Sequence, residues 1–204
     1  MSRVLATLPL RLRNRLAETI IDALHDRRAL DALAALAAGG AAVEAWGRDA
    51  VAYGSSLRER ARRAWAALAD RRLDTGPLTV RGALDVAARL YEAELFFEVH
   101  EVLEPLWRDA RGSERDALQG LIQIAVGYQH LANGNLAGAR ALLTDGATLI
   151  AGRRVGDVDL SAFAAAVRAS AGALDAGAAD DNGAADGVWL APPAPFPGEL
   201  RMTS

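Results

Sequence analysis

The chain has 204 residues, of which 51% are hydrophobic, so it can bury a sizeable core. The absence of cysteine excludes disulfides, thiolate metal ligands and cysteine nucleophiles. The net charge of −3 disfavours nucleic-acid binding, which requires a concentrated basic surface. Arginines interrupt the first apolar run, so we expect no secretory signal, no membrane span and a cytoplasmic location.

Amphipathic periodicity predicts four helices in an N-terminal extension, residues 1–75. Their predicted ranges are 9–30, 31–38, 42–53 and 56–73. Ser56 is the expected N-cap of the fourth helix, with Glu59 completing a capping box. We expect the basic cluster of this helix on a solvated face, with a phosphate or RNA contact surface as the alternative. The cluster consists of Arg58, Arg60, Arg62 and Arg63.

The run Asp74-Thr75-Gly76-Pro77 marks the clearest internal boundary, because Gly and Pro together end a helix and redirect the chain. Thr79 is placed to cap the next helix, which either runs on or breaks near Glu94. We predict an all-α protein with three parts. These are the N-terminal helical extension (1–75), a helical bundle (76–175), and a flexible linker with a Pro-rich tail (176–204).

The stretch from Leu90 to Trp107 places polar residues on an apolar helical face. At about 100° per residue, His100 and Glu104 share a face with aromatic and aliphatic residues and lie one turn apart. A charge buried there without a partner is costly, so we expect the pair to need polar partners. Pro105 lacks a backbone donor and is expected to bend or end the helix near Glu101.

A second helix, predicted from Glu114 to Ala132, also carries a polar stripe within an apolar face: Gln119, Gln123 and His130. The linker before it is short and contains Gly112, which favours two antiparallel neighbouring helices. If their stripes meet, one polar layer forms. Its members are His100, Glu104, Gln119, Gln123 and His130.

Three blocks in order, FFEVHEVLEPLW, QGLIQIAVGYQHL and GNLAGARALL, resemble the DUF309 family of uncharacterised bacterial and archaeal proteins. The family signature is a His, a Glu four residues on and an aromatic residue three further on. Here these are His100, Glu104 and Trp107, and the resemblance extends from about Ala83 to Thr144. It implies an all-helical fold and a proposed role in metal binding, with no known activity.

The remaining chain predicts two more helices and an extended tail. Asn133-Gly134-Asn135 ends one helix and caps the next, 136–150, and Asp159 or Ser161 caps a helix that reaches about Leu174. Residues 176–187 are predicted to be a flexible linker. The Pro-rich segment 188–197 either docks on the bundle, docks on a neighbouring subunit, or is disordered.

Two classes of function remain open. In the first, the protein binds a divalent metal (Zn, Mn or Fe) or another small ligand, with metal ligands His100, Glu104 and His130. The residues expected around this site are Glu101, Gln119, Gln123 and Trp107. In the second, the polar layer is a structural hydrogen-bond network in a protein- or RNA-interaction module. The sequence leaves enzymatic activity and homo-oligomer formation undecided.

Overall fold

The computed structural model describes residues 7–179 and 193–197, with the side chains of 175–179 excepted. As predicted, the protein is all-α. The helices in these residues are α1 (Leu10–Asp22), α2 (Arg27–Ala38), α3 (Ala41–Glu44), α4 (Arg48–Ala52), α5 (Gly54–Leu68), α6 (Val80–Glu92), α7 (Phe96–Asp109), α8 (Gly112–Ala132), α9 (Leu136–Ile150) and α10 (Ser161–Ala179). Two antiparallel strands, β1 (Arg154–Val155) and β2 (Val158–Asp159), form a hairpin that the periodicity did not predict.

Contacts divide the chain into two compact units, residues 1–102 and 103–204. The division falls inside α7. The predicted turn at 74–77 lies within the first unit, between α5 and α6. The three predicted domains stay a prediction. Within the described residues, no helix is both long and apolar enough to cross a bilayer.

In the first unit, the N-terminal helices exist but begin and end at other residues than predicted. The helix predicted over 9–30 is interrupted at residues 23–26, between α1 and α2. The interruption lies there because the Asp26 carboxylate caps α2 by accepting the backbone N–H of Arg28 at 2.8 Å. The helix predicted over 42–53 is divided into α3 and α4 at Gly47, whose φ is +99°. α2 packs most extensively on α5, and leucines such as Leu33 and Leu57 are fully buried there.

The predicted cap of the fourth helix is wrong. Ser56 lies inside α5 and is buried, since the helix begins two residues earlier at Gly54. The Glu59 carboxylate does not complete a capping box but accepts hydrogen bonds from Arg62 and Arg63. α5 also ends at Leu68, short of the predicted 73.

The start of α6 and the break between α6 and α7 are consistent with the sequence analysis. Thr79 Oγ1 accepts a hydrogen bond from the backbone N–H of Gly82 at 3.1 Å, which confirms the predicted cap of α6. Of the two alternatives for the end of α6, the structure supports the break near Glu94, because this residue has a φ of +57° between α6 and α7. Its carboxylate pairs with Arg63 at 2.6 Å. That ion pair helps to hold a conformation that non-glycine residues rarely adopt.

Pro105 does not end the helix near Glu101, which was one of the two predicted outcomes, since α7 continues to Asp109. The other predicted outcome, a bend, stays a prediction. Pro105 is exposed, so the backbone acceptor that it leaves without a donor lies near water. The residues just before it are well packed, since Val102 is 4% exposed and Leu103 is 0% exposed. Packing therefore outweighs the loss of one hydrogen bond.

In the second unit, α9 packs along α8 and α10 packs on α9. The predicted cap at Asn135 is confirmed by a 2.9 Å bond from the Gly138 N–H, and the start of α10 by a 2.8 Å bond from the Ser161 N–H to Asp159. α10 continues to Ala179, so residues 176–179 are helical and not a linker. The rest of the predicted linker lies outside the described residues.

Part of the Pro-rich tail docks within the second unit. The backbone N–H of Ala194 donates to the Tyr128 hydroxyl at 3.0 Å, and the Phe196 ring lies 5.2 Å from the Phe163 ring. Ala194 and Phe196 are 4% and 6% exposed. For residues 193–197, the structure therefore supports the docked alternative. Predictions for 188–192 concern residues outside those described.

Candidate metal centre

Helix α7 holds the one group of metal-ligand side chains found among the described residues: His100, Glu101 and Glu104. One ligand atom from each of the three lies within 4.8 Å of the others. Their spacing explains this, because positions 100 and 104 share a helix face and a glutamate at 101 can reach round to it. An imidazole with two carboxylates is a donor set that suits Zn, Mn or Fe.

Each of the three side chains already has a polar contact with a close neighbour on α7. The Nδ1 atom of His100 lies 3.0 Å from Oε1 of Glu101. Glu104 Oε1 accepts a hydrogen bond of 2.7 Å from Arg108. The side chains of His100, Glu101 and Glu104 are 29%, 33% and 28% exposed. The donors are therefore held in place, yet accessible to an ion from solution.

The expected burial of His100 and Glu104 is wrong. Their side chains lie at the edge of the buried face of α7, whose centre is occupied by Val99, Val102 and Leu103. The helix is rotated about its axis relative to the prediction. This happens because α7 has apolar residues on two sides, and the side with the valines faces the core.

The polar residues predicted on α8 are not in its core. Gln119 is exposed, while Gln123 and His130 are half-buried. The Gln123 Oε1 atom is buried and finds no hydrogen-bond donor in the part of the chain that the structure describes. Instead, the buried face of α8 consists of Ala117, Leu118, Gly120, Leu121, Ile124, Ala125, Gly127, Tyr128 and Leu131. The predicted meeting of the two polar stripes stays a prediction.

The Trp107 side chain is half-buried, and the Arg115 guanidinium lies 4.1 Å from its ring centroid. Arg115 also donates to the Trp107 carbonyl at 2.6 Å. Arg115 therefore covers one face of the indole through a cation–π contact. This arrangement joins the end of α7 to the start of α8 within the second unit.

His130 is held by a hydrogen bond that fixes its tautomer. Its Nδ1 lies 2.8 Å from Nδ2 of Asn135, and Oδ1 of Asn135 accepts the N–H of Gly138. Because the amide presents its NH₂ group to the ring, Nδ1 must accept and Nε2 must carry the proton. In this tautomer neither nitrogen offers a free lone pair to a metal. The role of His130 as a metal ligand stays a prediction.

Residues 84–142 match the family model described as Domain of unknown function (DUF309). Over this segment the chain is similar to the DUF309 family. The resemblance drawn from the three sequence blocks is thereby confirmed. No curated protein and no solved structure matches the chain. The DUF309 segment contains His100, Glu101 and Glu104, whereas helices α1 to α5 precede it.

The sequence reasoning missed a buried charge in the DUF309 segment. Glu98 is 1% exposed, and its Oε2 atom has no hydrogen-bond partner among the described residues. Burial raises the pKa of Glu98, although the nearby Arg60 and Arg13 guanidinium groups act in the opposite direction. A carboxylate in the first turn of α7 is also favoured by the helix dipole.

The arginine cluster of α5 is only partly on a solvated face, so that expectation is wrong for two members. Arg60 is 9% exposed, and burial lowers the pKa of its guanidinium. The Arg63 side chain, 16% exposed, forms ion pairs with Glu59 at 3.0 Å and Glu94 at 2.6 Å. Arg62 is solvated as predicted. The helical spacing Leu57-Arg60-Ala64 indicates the burial of Arg60 and was available in the sequence.

Proposed function

We propose that the DUF309 segment binds one divalent transition-metal ion through His100, Glu101 and Glu104. The observation that carries the proposal is the mutual proximity of the three ligand atoms on one helix. Spacing of this kind lets two ligands one helical turn apart reach a single ion. The metals that fit a nitrogen and two carboxylate oxygens are Zn, Mn and Fe(II).

Metal binding requires only side-chain movement. Ligand atoms about 2.0–2.2 Å from a Zn ion lie closer together than 4.8 Å, so the two glutamates would rotate inwards. Both are more than a quarter exposed, which leaves their rotamers free to do so. Glu104 would exchange its contact with Arg108, an exposed side chain, for the ion. This exchange loses little, because exposed ion pairs contribute little to stability.

Three protein ligands leave at least one coordination position for water or a small molecule. Structural zinc sites normally use four protein ligands, whereas catalytic sites keep an open position. The proposed centre is therefore suited to binding a small ligand or activating water. The competing interpretation, a structural network in an interaction module, is less well supported because the three side chains are half-exposed.

The test is elemental analysis of protein purified without an affinity tag, together with thermal unfolding in Zn, Mn and Fe(II). A metal at a hundredfold excess over its Kd stabilises a protein by about 2.7 kcal/mol. For a chain of this size, that corresponds to a rise in Tm of roughly 5–10 °C. We expect this rise in the wild-type protein and its loss in His100→Ala and Glu104→Gln.

The control variant is His25→Ala, which removes an exposed histidine from the first unit and should leave the metal response unchanged. His130→Ala tests the third ligand predicted from the sequence. Equal metal content and equal shifts in the wild type and His100→Ala would exclude the proposed centre. A loss of several kcal/mol of stability in His100→Ala without any metal response would favour the structural network.

A further inference from the structure

Residues 193–197 have the sequence Pro-Ala-Pro-Phe-Pro, which favours an extended backbone before any contact is made. Proline fixes its own φ at about −65°, and a residue that precedes proline is kept out of the helical region. Ala194 and Phe196 each precede a proline. The structure agrees, since the segment contains neither helix nor strand. Such a segment loses little conformational entropy when it binds to a surface.

Burial alternates along this segment. Ala194 and Phe196 are 4% and 6% exposed, whereas Pro195 between them is exposed. An extended chain points successive side chains to opposite sides, which explains the alternation. The side chains of Ala194 and Phe196 therefore face the second unit, and the ring of Pro195 faces solvent.

The docking surface is the part of the second unit that receives this segment, and it is defined by Tyr128 of α8 and Phe163 of α10. The Tyr128 hydroxyl accepts the N–H of Ala194 at 3.0 Å. The Phe163 ring lies 5.2 Å from the Phe196 ring. Because the Phe196 side chain is enclosed on nearly all sides, the surface is recessed where this ring enters. Two helices thus provide one polar contact and one aromatic contact.

These contacts do not depend on the covalent connection between the segment and the helices. The hydrogen bond joins residues 66 positions apart, and residues 180–192 connect α10 to the segment. An untethered peptide of the same sequence has the same N–H group and the same ring to offer. Neither the segment nor the two aromatic residues of the docking surface carries a charge at pH 7. Recognition therefore depends on the hydrogen bond, the ring contact and the extended shape, as when aromatic-lined surfaces bind proline-rich peptides.

We propose that the docking surface is a recognition site for proline-rich peptides, which residues 193–197 occupy from within the same chain. The partner supplies an uncharged, extended segment with a backbone N–H for Tyr128 and, two residues later, an aromatic side chain for Phe163. Prolines flank both positions. Because the tethered segment competes with such a partner, the partner binds by displacing it. The site is independent of the proposed metal centre, because it uses none of the three metal ligands.

The test is the binding of a fluorescein-labelled synthetic peptide, residues 191–199, to the full chain, measured by fluorescence anisotropy. The wild type should bind this peptide weakly, since its own segment occupies the docking surface. Phe196→Ala removes the ring that fills the recess and leaves Tyr128 and Phe163 in place. We expect this variant to bind the peptide at least about tenfold more tightly than the wild type, because burial of a phenylalanine side chain accounts for at least that factor.

Matched controls assign the two contacts. Leu10→Ala removes a large apolar side chain from a 63% exposed position in the first unit and should bind the peptide as the wild type does. A peptide with alanine in place of Phe196 should bind the Phe196→Ala protein at least about tenfold more weakly than the native peptide. The double variant Tyr128→Phe, Phe196→Ala should bind the native peptide about tenfold more weakly than Phe196→Ala, because a buried N–H of the peptide loses its acceptor.

Three results would overturn the proposal. One is equal affinity of the peptide for the wild type, Phe196→Ala and Leu10→Ala. Another is equal binding of the native and the alanine-containing peptide, which would indicate adsorption without recognition. The third is a wild-type dimer in light scattering that dissociates in Phe196→Ala, which would assign the docking surface to the segment of a second copy. If Phe196→Ala loses its helical circular dichroism, Ala194→Glu takes its place, since a carboxylate at this buried position also displaces the segment.

Discussion

Gly120 on α8 and Gly146 on α9 approach so closely that a Cβ atom added to either would lie 2.8 Å from the carbonyl oxygen of the other. No ordinary Cβ atom tolerates that distance. The contact explains how α8 and α9 can pack along their length in the second unit. Glycine is required there by the proximity of two backbones, since neither residue has a positive φ.

Gly120→Ala and Gly146→Ala should each destabilise the protein by about 1–3 kcal/mol, because the helices must move apart. Gly172→Ala is the matched control, since an added Cβ on this α10 residue meets nothing within 4 Å. Alanine there should stabilise the helix by up to about 1 kcal/mol. Chemical denaturation of the three variants measures the differences. Similar values for all three would contradict the close approach.

Tyr128→Phe should release residues 193–197 from the second unit. The substitution leaves the buried N–H of Ala194 without its acceptor, which costs about 1–3 kcal/mol. Limited proteolysis followed by mass spectrometry should then show faster cleavage near Phe196. Tyr53→Phe removes the hydroxyl of a 37% exposed tyrosine and serves as control. Equal cleavage rates in the wild type and Tyr128→Phe would show that the hydroxyl does not hold the tail.

The sequence predicted the helical fold well, because hydrophobic periodicity and helix caps depend on residues that are close together in the chain. Thr79 and Asn135 cap helices where expected. The break between α1 and α2 was misplaced because the N-cap at Asp26 was not recognised in the sequence. The hairpin of β1 and β2 was missed because two-residue strands are too short to show a period.

The candidate site was predictable only in part. The spacing of His100 and Glu104 indicates a ligand pair on one helix, and the structure adds Glu101 to it. The sequence could not determine which apolar side of α7 faces the core, so it predicted the wrong burial. The burial of Glu98 was missed because it depends on contacts between distant segments of the chain. The burial of Arg60 was missed although its helical spacing with Leu57 and Ala64 indicates it.

Glu59 should make stability depend on acid pH. Hydrogen bonds from Arg62 and Arg63 lower its pKa from 4.5 to about 2. A lowered carboxyl pKa contributes stability that is present above pH 4.5 and is lost as the pH falls towards 2. Because the group is near solvent, we expect Glu59→Gln to cost only about 1 kcal/mol at pH 7.

The measurement is the free energy of unfolding of wild type and Glu59→Gln from pH 7 to pH 2. The difference between them should shrink steadily below pH 4.5 and be mostly lost as the pH reaches 2. Glu18→Gln, at an exposed position of α1, provides the control. A difference that is the same at pH 7 and pH 2 would mean that the ion pairs with Arg62 and Arg63 contribute nothing.

Asn135→Asp should invert the tautomer of His130. Aspartate can still cap α9 by accepting the Gly138 N–H, but its second oxygen cannot donate to the ring. His130 would then carry its proton on Nδ1 and expose the lone pair of Nε2. Long-range nitrogen–proton NMR correlations distinguish the two tautomers. A wild-type ring protonated on Nδ1 would contradict the bond from Asn135 to His130.

The same substitution separates the two metal-ligand sets. If His130 is a ligand, as the sequence predicted, freeing its Nε2 should tighten metal binding in Asn135→Asp. If the ion is held by His100, Glu101 and Glu104 alone, the affinity should be the same as in the wild type. Titration with Zn in both proteins measures this difference. We expect no change, because in the structure His130 presents no free lone pair and the three α7 side chains already lie close together as a candidate ligand group.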